Sequence, residues 1–183
     1  YLKNRMKDNS QYRNRKLGWV AYVSGKRESR RLMGDYILKE DDLRKYVMHE
    51  DGTAATTWSI DLHYPDPANT KNFPGQEFKS IAKHINIYPY PIPYRCLYSR
   101  NIDNLFMAGR NISVTHVALG TVRVMRTTGM MGEVVGMATS ICKKYGVKPR
   151  NVYQSHLDEL KKLMEDGTGK KGLPNNQTYN EGG

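Results

Sequence analysis

The chain has 183 residues, 38% hydrophobic and 10% aromatic, enough for one ordinary domain with a real core and a poor fit to a disordered chain. Its 29 Lys and Arg against 18 Asp and Glu leave a formal net charge of +11, yet the basic residues are scattered among acids and amides, which argues against nucleic acid as a partner. No run approaches the roughly 18 apolar residues of a membrane span, no signal peptide opens the chain, and Cys96 and Cys142 sit in apolar settings without metal-ligand spacing. The expectation is a soluble protein, cytoplasmic or periplasmic, with reduced cysteines, no membrane partner and no metal.

The opening stretch "KNRMKDNSQYRNRK" (3–16) is polar and helix-like from the first residue, so the chain reads as a piece of something longer. "LGWVAYVSG" (17–25), apolar, β-rich and bounded by glycines, predicts a strand. "RESRR" (27–31) reads as a solvated or interdomain basic strip. A helix is expected next, with acids at 40–42 where it begins and Gly52 where it stops. "TAATTWSIDLHYPDP" (53–67) predicts a second strand closed by the Pro65 and Pro67 turn, and 68–80 is loop-like. "HINIYPYPIPYRCLYS" (84–99) alternates, but Pro89, Pro91 and Pro93 cannot donate to a ladder, so it is an edge strand or an extended cover. Its tyrosines suit either a core cover or a sugar-stacking wall.

"NLFMAG" (104–109) predicts a short strand, followed by one long amphipathic helix that carries Gly129, Gly132 and Gly136 and stops at "KKYGVKP". Each of these glycines costs roughly 1 kcal/mol of helix preference relative to alanine. Spaced by three and four residues they share one face, where a missing β-carbon admits a neighbouring backbone or a flat ligand. Tight packing on a sheet is the plainer reading. A last helix is expected over about Ser155 to Glu165, with Asp158 as capping partner of Ser155, before a polar tail from Gly167. "GTGKKG" (167–172) fits the dinucleotide fingerprint by letter only, because it follows a helix instead of a strand.

Taken in order, "YPIPYRCLYSRNIDNLFMAGRNISVTHVALGTVRVMRTTGMMGEVVGMATS", together with "GWVAYVSGKRESRRLMGDYILKEDDL" and "TWSIDLHYPD" upstream, resembles the C-terminal part of a family of FAD-dependent oxidoreductases widespread in bacteria, flavoproteins with two dinucleotide-binding folds. Arg126 stands where many relatives have proline, and the family's N-terminal GxGxxG strand-turn-helix is missing from this chain. The resemblance implies an α/β chain, or an α+β fragment. A mixed or antiparallel substrate-side sheet would span 1–95, the closing strand and Gly-rich helix of a Rossmann-like FAD-binding domain 96–150, and a helix and tail 151–183. The upstream part of the same protein then becomes a partner, and the chain alone should bind FAD weakly or not at all.

The same resemblance assigns Gly109, Arg110 and Asn111 to the ribityl and pyrophosphate side of FAD. Gly120, Thr121, Val122 and Arg123 would form a helix mouth at the flavin, with Gly129, Gly132 and Gly136 packed on the sheet and on the upstream unit. For a small substrate, sugar-like or a hydroxy acid, His63 and His116 are candidate bases, while Arg95 and Arg126 are candidate forks for an anionic or polyol group. A hydrogen-bonded structural histidine and an interdomain salt bridge are the plainer alternatives. The competing function is a basic, non-catalytic module for polyanions or nucleic acid, which would need aromatics interleaved with Lys and Arg along one face.

Overall fold

Two short antiparallel ladders stand where one continuous sheet would be the simplest outcome. The computed structural model describes residue 8 and residues 10–23, 28–66 and 80–167. The expected second strand breaks at 57–59 into β1 (Gly52–Thr56) and β2 (Ile60–Pro65). β1 pairs with β4 (Tyr90–Pro93), and β2 pairs with β3 (Ser80–Ile85). In the first ladder the register is irregular between Gly52 and Ala55, opposite Pro91 and Pro93, which have no N–H to donate; within the irregular stretch the Thr53 hydroxyl donates to Ile92 O at 2.7 Å. β4 is thus an edge strand, as its prolines require.

The helix expected after residue 39 is one turn long. α1 (Glu40–Arg44) starts where Lys39 N–H donates to the Asp42 carboxylate at 2.9 Å. It stops because Tyr46 adopts φ 53, outside the right-handed region. The long C-terminal helix divides in two, α2 (His116–Val122) and α3 (Met125–Tyr145). Gly146 at φ 66 closes α3, as its sequence position predicts. Pro149 then opens α4 (Pro149–Ser155), a helix the sequence reading missed, ahead of α5 (Leu157–Asp166).

The core lies between the β1–β4 ladder, α2 and the inner face of α3. Leu38, Ile60, Ile92, Leu97, Met107, Leu119 and Met131 are fully buried there, with Tyr90, Tyr94 and Tyr98. Those tyrosines are core cover, and a sugar-stacking wall built on them is ruled out by their burial. α4 and α5 contribute Val152 and Leu160 to the same cluster, so one core runs from residue 38 to 160. Both cysteines are free thiols; burial pushes Cys96 well above the usual thiol range. Among the described residues, no helix is long and apolar enough to cross a membrane.

Two expectations are corrected. Residues 17–23, the described part of the first predicted strand, form no ladder; Trp19 is 72% and Tyr22 96% exposed. Strand propensity alone does not make a strand, which needs a partner edge for its backbone groups. "NLFMAG" likewise contributes only a bridge, Tyr98 with Phe106. The segment 68–80, apart from Ser80, the "GTGKKG" match beyond Gly167 and the polar tail lie outside the described residues.

The three helix glycines are also not where packing would put them. α3 buries Thr127, Met131, Val134, Ala138 and Ile141, spaced by three and four residues. Gly129, Gly132 and Gly136 lie on the opposite, exposed side, and a β-carbon at any of them would meet nothing within 4 Å. Gly34 is the contrary case, since a β-carbon there would lie 2.3 Å from Arg95 O. Gly132→Ala or Gly136→Ala should therefore stabilise this chain by about 0.5–1 kcal/mol each. Gly34→Ala should destabilise it by about 1–3 kcal/mol or more. Urea unfolding of the three variants checks both signs.

Candidate functional site

The segment "AGRN" leaves the core at Met107 and turns at Gly109, whose φ of 145 is open to glycine and costly for other residues. Backbone bonds hold the turn from both sides. Ile112 N–H donates to Gly109 O at 3.3 Å, and Leu32 N–H donates to Asn111 O at 2.9 Å. Beyond it, Ser113 and Thr115 bracket Leu38 in a short parallel bridge. The result is a surface pocket of about 700 Å³ bounded by Gly109, Arg110 and Asn111 on one side and Arg123, Met125 and Thr128 on the other.

Four of the seven residues assigned to the cofactor from sequence therefore share one pocket: Gly109, Arg110, Asn111 and Arg123. The other three stand behind it. Gly120, Thr121 and Val122 are buried in α2. A β-carbon at Gly120 would lie 2.9 Å from Asp61 O, so this glycine lets α2 lie against β2. Thr121 Oγ1 donates to Trp58 O at 2.5 Å, and its carbonyl accepts from Thr56 Oγ1 at 2.9 Å. The helix mouth is shifted accordingly. The chain breaks at Arg123–Val124, and the 21-residue α3, whose first N–H groups have no partner within the helix, opens at Met125 on the pocket wall.

Arg123 is held by its neighbour on β2: Nη2 donates to Asp61 O at 2.9 Å and lies 3.6 Å from the Asp61 carboxylate. That carboxylate also takes His63 Nε2 at 3.0 Å and faces His84 Nε2 at 3.6 Å, His84 being its cross-strand partner. His63 is exposed and does not line the pocket. His116 opens α2, where its Nδ1 meets Glu28 Oε1 at 2.6 Å. Burial favours the neutral acid at Glu28, but hydrogen bonds from His116 and Arg31 overcome it and hold the carboxyl below its usual range. Glu28 is thus ionised at neutral pH and orients His116 through Nδ1, and Nε2 has no partner among the described residues.

Arg95 is committed elsewhere, which corrects its reading as a substrate fork. Its backbone N–H, Nε and Nη2 each donate to the Asp51 carboxylate at 2.9 Å. Its guanidinium stacks over the rings of Tyr36 and Tyr153, 5.3 and 5.0 Å from their centroids. Asp51 is fully buried; burial pushes its carboxyl up, and the Arg95 hydrogen bonds and charge more than reverse this and hold it below the usual range. Sequence reasoning missed Asp51 and Glu28, whose partners lie 44 and 88 residues away, and it read Ser29 and Arg30 as part of a solvated or interdomain basic strip without connecting them to the pocket that both line.

A model of the FAD dependent oxidoreductase family matches residues 1–164 of the chain. No curated protein and no solved structure matches it.

The Asp51–Arg95 pair makes a pH-dependent contribution to stability. The folded-state carboxyl titrates below the unfolded value of 3.8, so the contribution is whole above that value and fades as pH falls through the depressed one. Asp51→Asn should cost about 3 kcal/mol at neutral pH, the lower end for breaking a buried pair. The gap to the parent chain should stay constant down to about pH 4 and narrow below it. Urea midpoints at pH 7, 5 and 3 check this.

Proposed function

The chain belongs to the family of FAD dependent oxidoreductases, and from that premise we propose that it carries the closing part of the cofactor site of an enzyme that oxidises a small hydroxyl compound, sugar-like or a hydroxy acid. The adenosine-binding unit is supplied upstream in the same protein. The carrying observation is the convergence of Gly109, Arg110, Asn111 and Arg123 on one pocket at the opening of α3.

The pocket suits the ribityl and pyrophosphate portion of FAD. A left-handed glycine turn brings backbone close to a ligand, guanidiniums match phosphate oxygens in pairs, and a long helix opens with its positive end toward the space. Arg123 would hold the anionic portion, steadied by Asp61, and Gly109 and Asn111 the adjoining chain. FAD held there would supply the redox chemistry, hydride acceptance from a carbon that bears a hydroxyl.

What this chain adds is orientation and proton handling. His116 takes the hydroxyl proton at Nε2 while Glu28 keeps its Nδ1–H in place and stabilises the imidazolium that results. Neither histidine lines the pocket, but Glu28, the partner of His116, is next in the chain to Ser29, which does, and that adjacency favours His116 over His63. The competing polyanion module would draw on exposed aromatics, but Tyr90, Tyr94 and Tyr98 are buried and the exposed Trp19 and Tyr22 do not line the pocket.

The full protein should purify yellow or take up added FAD, and its visible flavin band should bleach without oxygen when one of a panel of sugar alcohols and hydroxy acids is added. A protein that takes up no flavin overturns the reading. His116→Gln should slow bleaching by about 10²- to 10⁴-fold with FAD uptake unchanged, whereas His63→Gln should leave the rate within about twofold. Stopped-flow absorbance measures both.

A further inference from the structure

The basic strip at 28–31 divides by partner. Glu28 joins Arg31 at 2.5 Å and His116 at 2.6 Å. Arg30 turns to the pocket, which it lines with Ser29, and its side chain makes no hydrogen bond or ion pair with any described residue. Arg110 is in the same position: it lines the pocket and has no partner among the described residues. The other pocket arginine, Arg123, is tied to Asp61. Among the described residues that line this space there is no carboxylate.

Two exposed guanidiniums at one concave wall, neither paired with a carboxylate among the described residues, raise the local positive potential, whereas the third, Arg123, is answered by Asp61. The fold offers each a different anchor, Arg30 on the segment before Leu32 and Arg110 on the turn after Gly109, and Leu32 N–H to Asn111 O fixes those segments side by side. A planar fork on either side is the geometry that takes a phosphate or a carboxylate in paired hydrogen bonds.

We propose that Arg30 and Arg110 together bind a phosphoryl or carboxylate group of the pocket's ligand, so that residues 29 and 30 form a wall of the site and Arg30 sets its preference for an anion. This rests on the reading of the pocket as part of the cofactor site. Two sources share the chemistry: the pyrophosphate of the cofactor and an anionic end of the substrate.

The full protein separates them by titration with FAD, riboflavin and inorganic pyrophosphate, and by bleaching with hydroxy acids against neutral sugar alcohols. Arg30→Ala and Arg110→Ala are compared with Arg44→Ala, a remote surface control that pairs with Glu40. If the pyrophosphate of the cofactor is the ligand, each pocket variant weakens FAD and pyrophosphate by about ten- to a hundredfold and leaves riboflavin unchanged. If the substrate's anion is the ligand, FAD is unchanged and KM rises by a similar factor for hydroxy acids alone. Arg30→Lys should recover part of either loss. FAD binding and hydroxy-acid KM that both ignore Arg30 overturn the proposal and leave the flavin reading standing. Pyrophosphate binding that depends on Arg30 in a protein that takes up no flavin would support the anion wall and sink the flavin reading instead. If no probe binds at all, or if every probe weakens equally with a lowered Tm, the proposal fails.

Discussion

The pocket hangs on the ion pair between Asp51 and Arg95, although neither residue lines it. Three N–H groups of Arg95 reach one carboxylate, and Tyr94 N–H donates to Asp51 O at 2.7 Å, so the turn at Tyr94–Cys96 is pinned to the start of β1. From that turn the frame is built by single backbone bonds. Arg95 O accepts Tyr36 N–H, Cys96 O accepts Ser113 N–H, and Leu97 O accepts Met107 N–H. Met107 and Ser113 are the two ends of the loop that carries Gly109, Arg110 and Asn111. A shift of the turn would be inherited by both, which is also why Gly34, pressed on Arg95 O, tolerates no side chain.

How much of this was legible follows from the range of each interaction. Local signals read well: Gly146 ends its helix, the prolines of 89–93 confine β4 to an edge, and Gly109–Asn111 form the turn. Pairings over long separations did not. Nothing near Asp51 announces Arg95, so an arginine that looked free for substrate is spent on the core. The helix that read as continuous breaks at Arg123–Val124, where the helical pattern carries no Gly or Pro to mark a boundary. The strand at 17–25 had the right composition, but composition does not supply a partner.

The glycines show the same limit from the other side. Periodicity put Gly129, Gly132 and Gly136 on one face, and they are on one face. It could not say whether that face looked in or out. The answer came from Met131, Val134, Ala138 and Ile141, which take the core side and leave the bare side to solvent. Gly120 reverses this. It read as a mouth for a cofactor and serves as close contact between α2 and β2, because a helix so short is held mainly by what it packs on.

Charge is what ties the frame to chemistry. The chain carries a formal +11, and several of its described ion pairs are local and exposed, such as Arg44 with Glu40 or Lys45 with Asp41, of little consequence in water. Around the pocket the balance is different: acids adjoin it, Glu28 on His116 and Asp61 on Arg123, yet both are turned to hold a cation or imidazole in place. Counter-charge is therefore spent on orientation at the rim and withheld inside. On the proposed reading, an anion bound there would add its binding free energy to the stability of the loop and helix opening that hold it, by about 2.7 kcal/mol at a hundred times its Kd. Folding of this corner and occupancy of it would in that sense be one equilibrium.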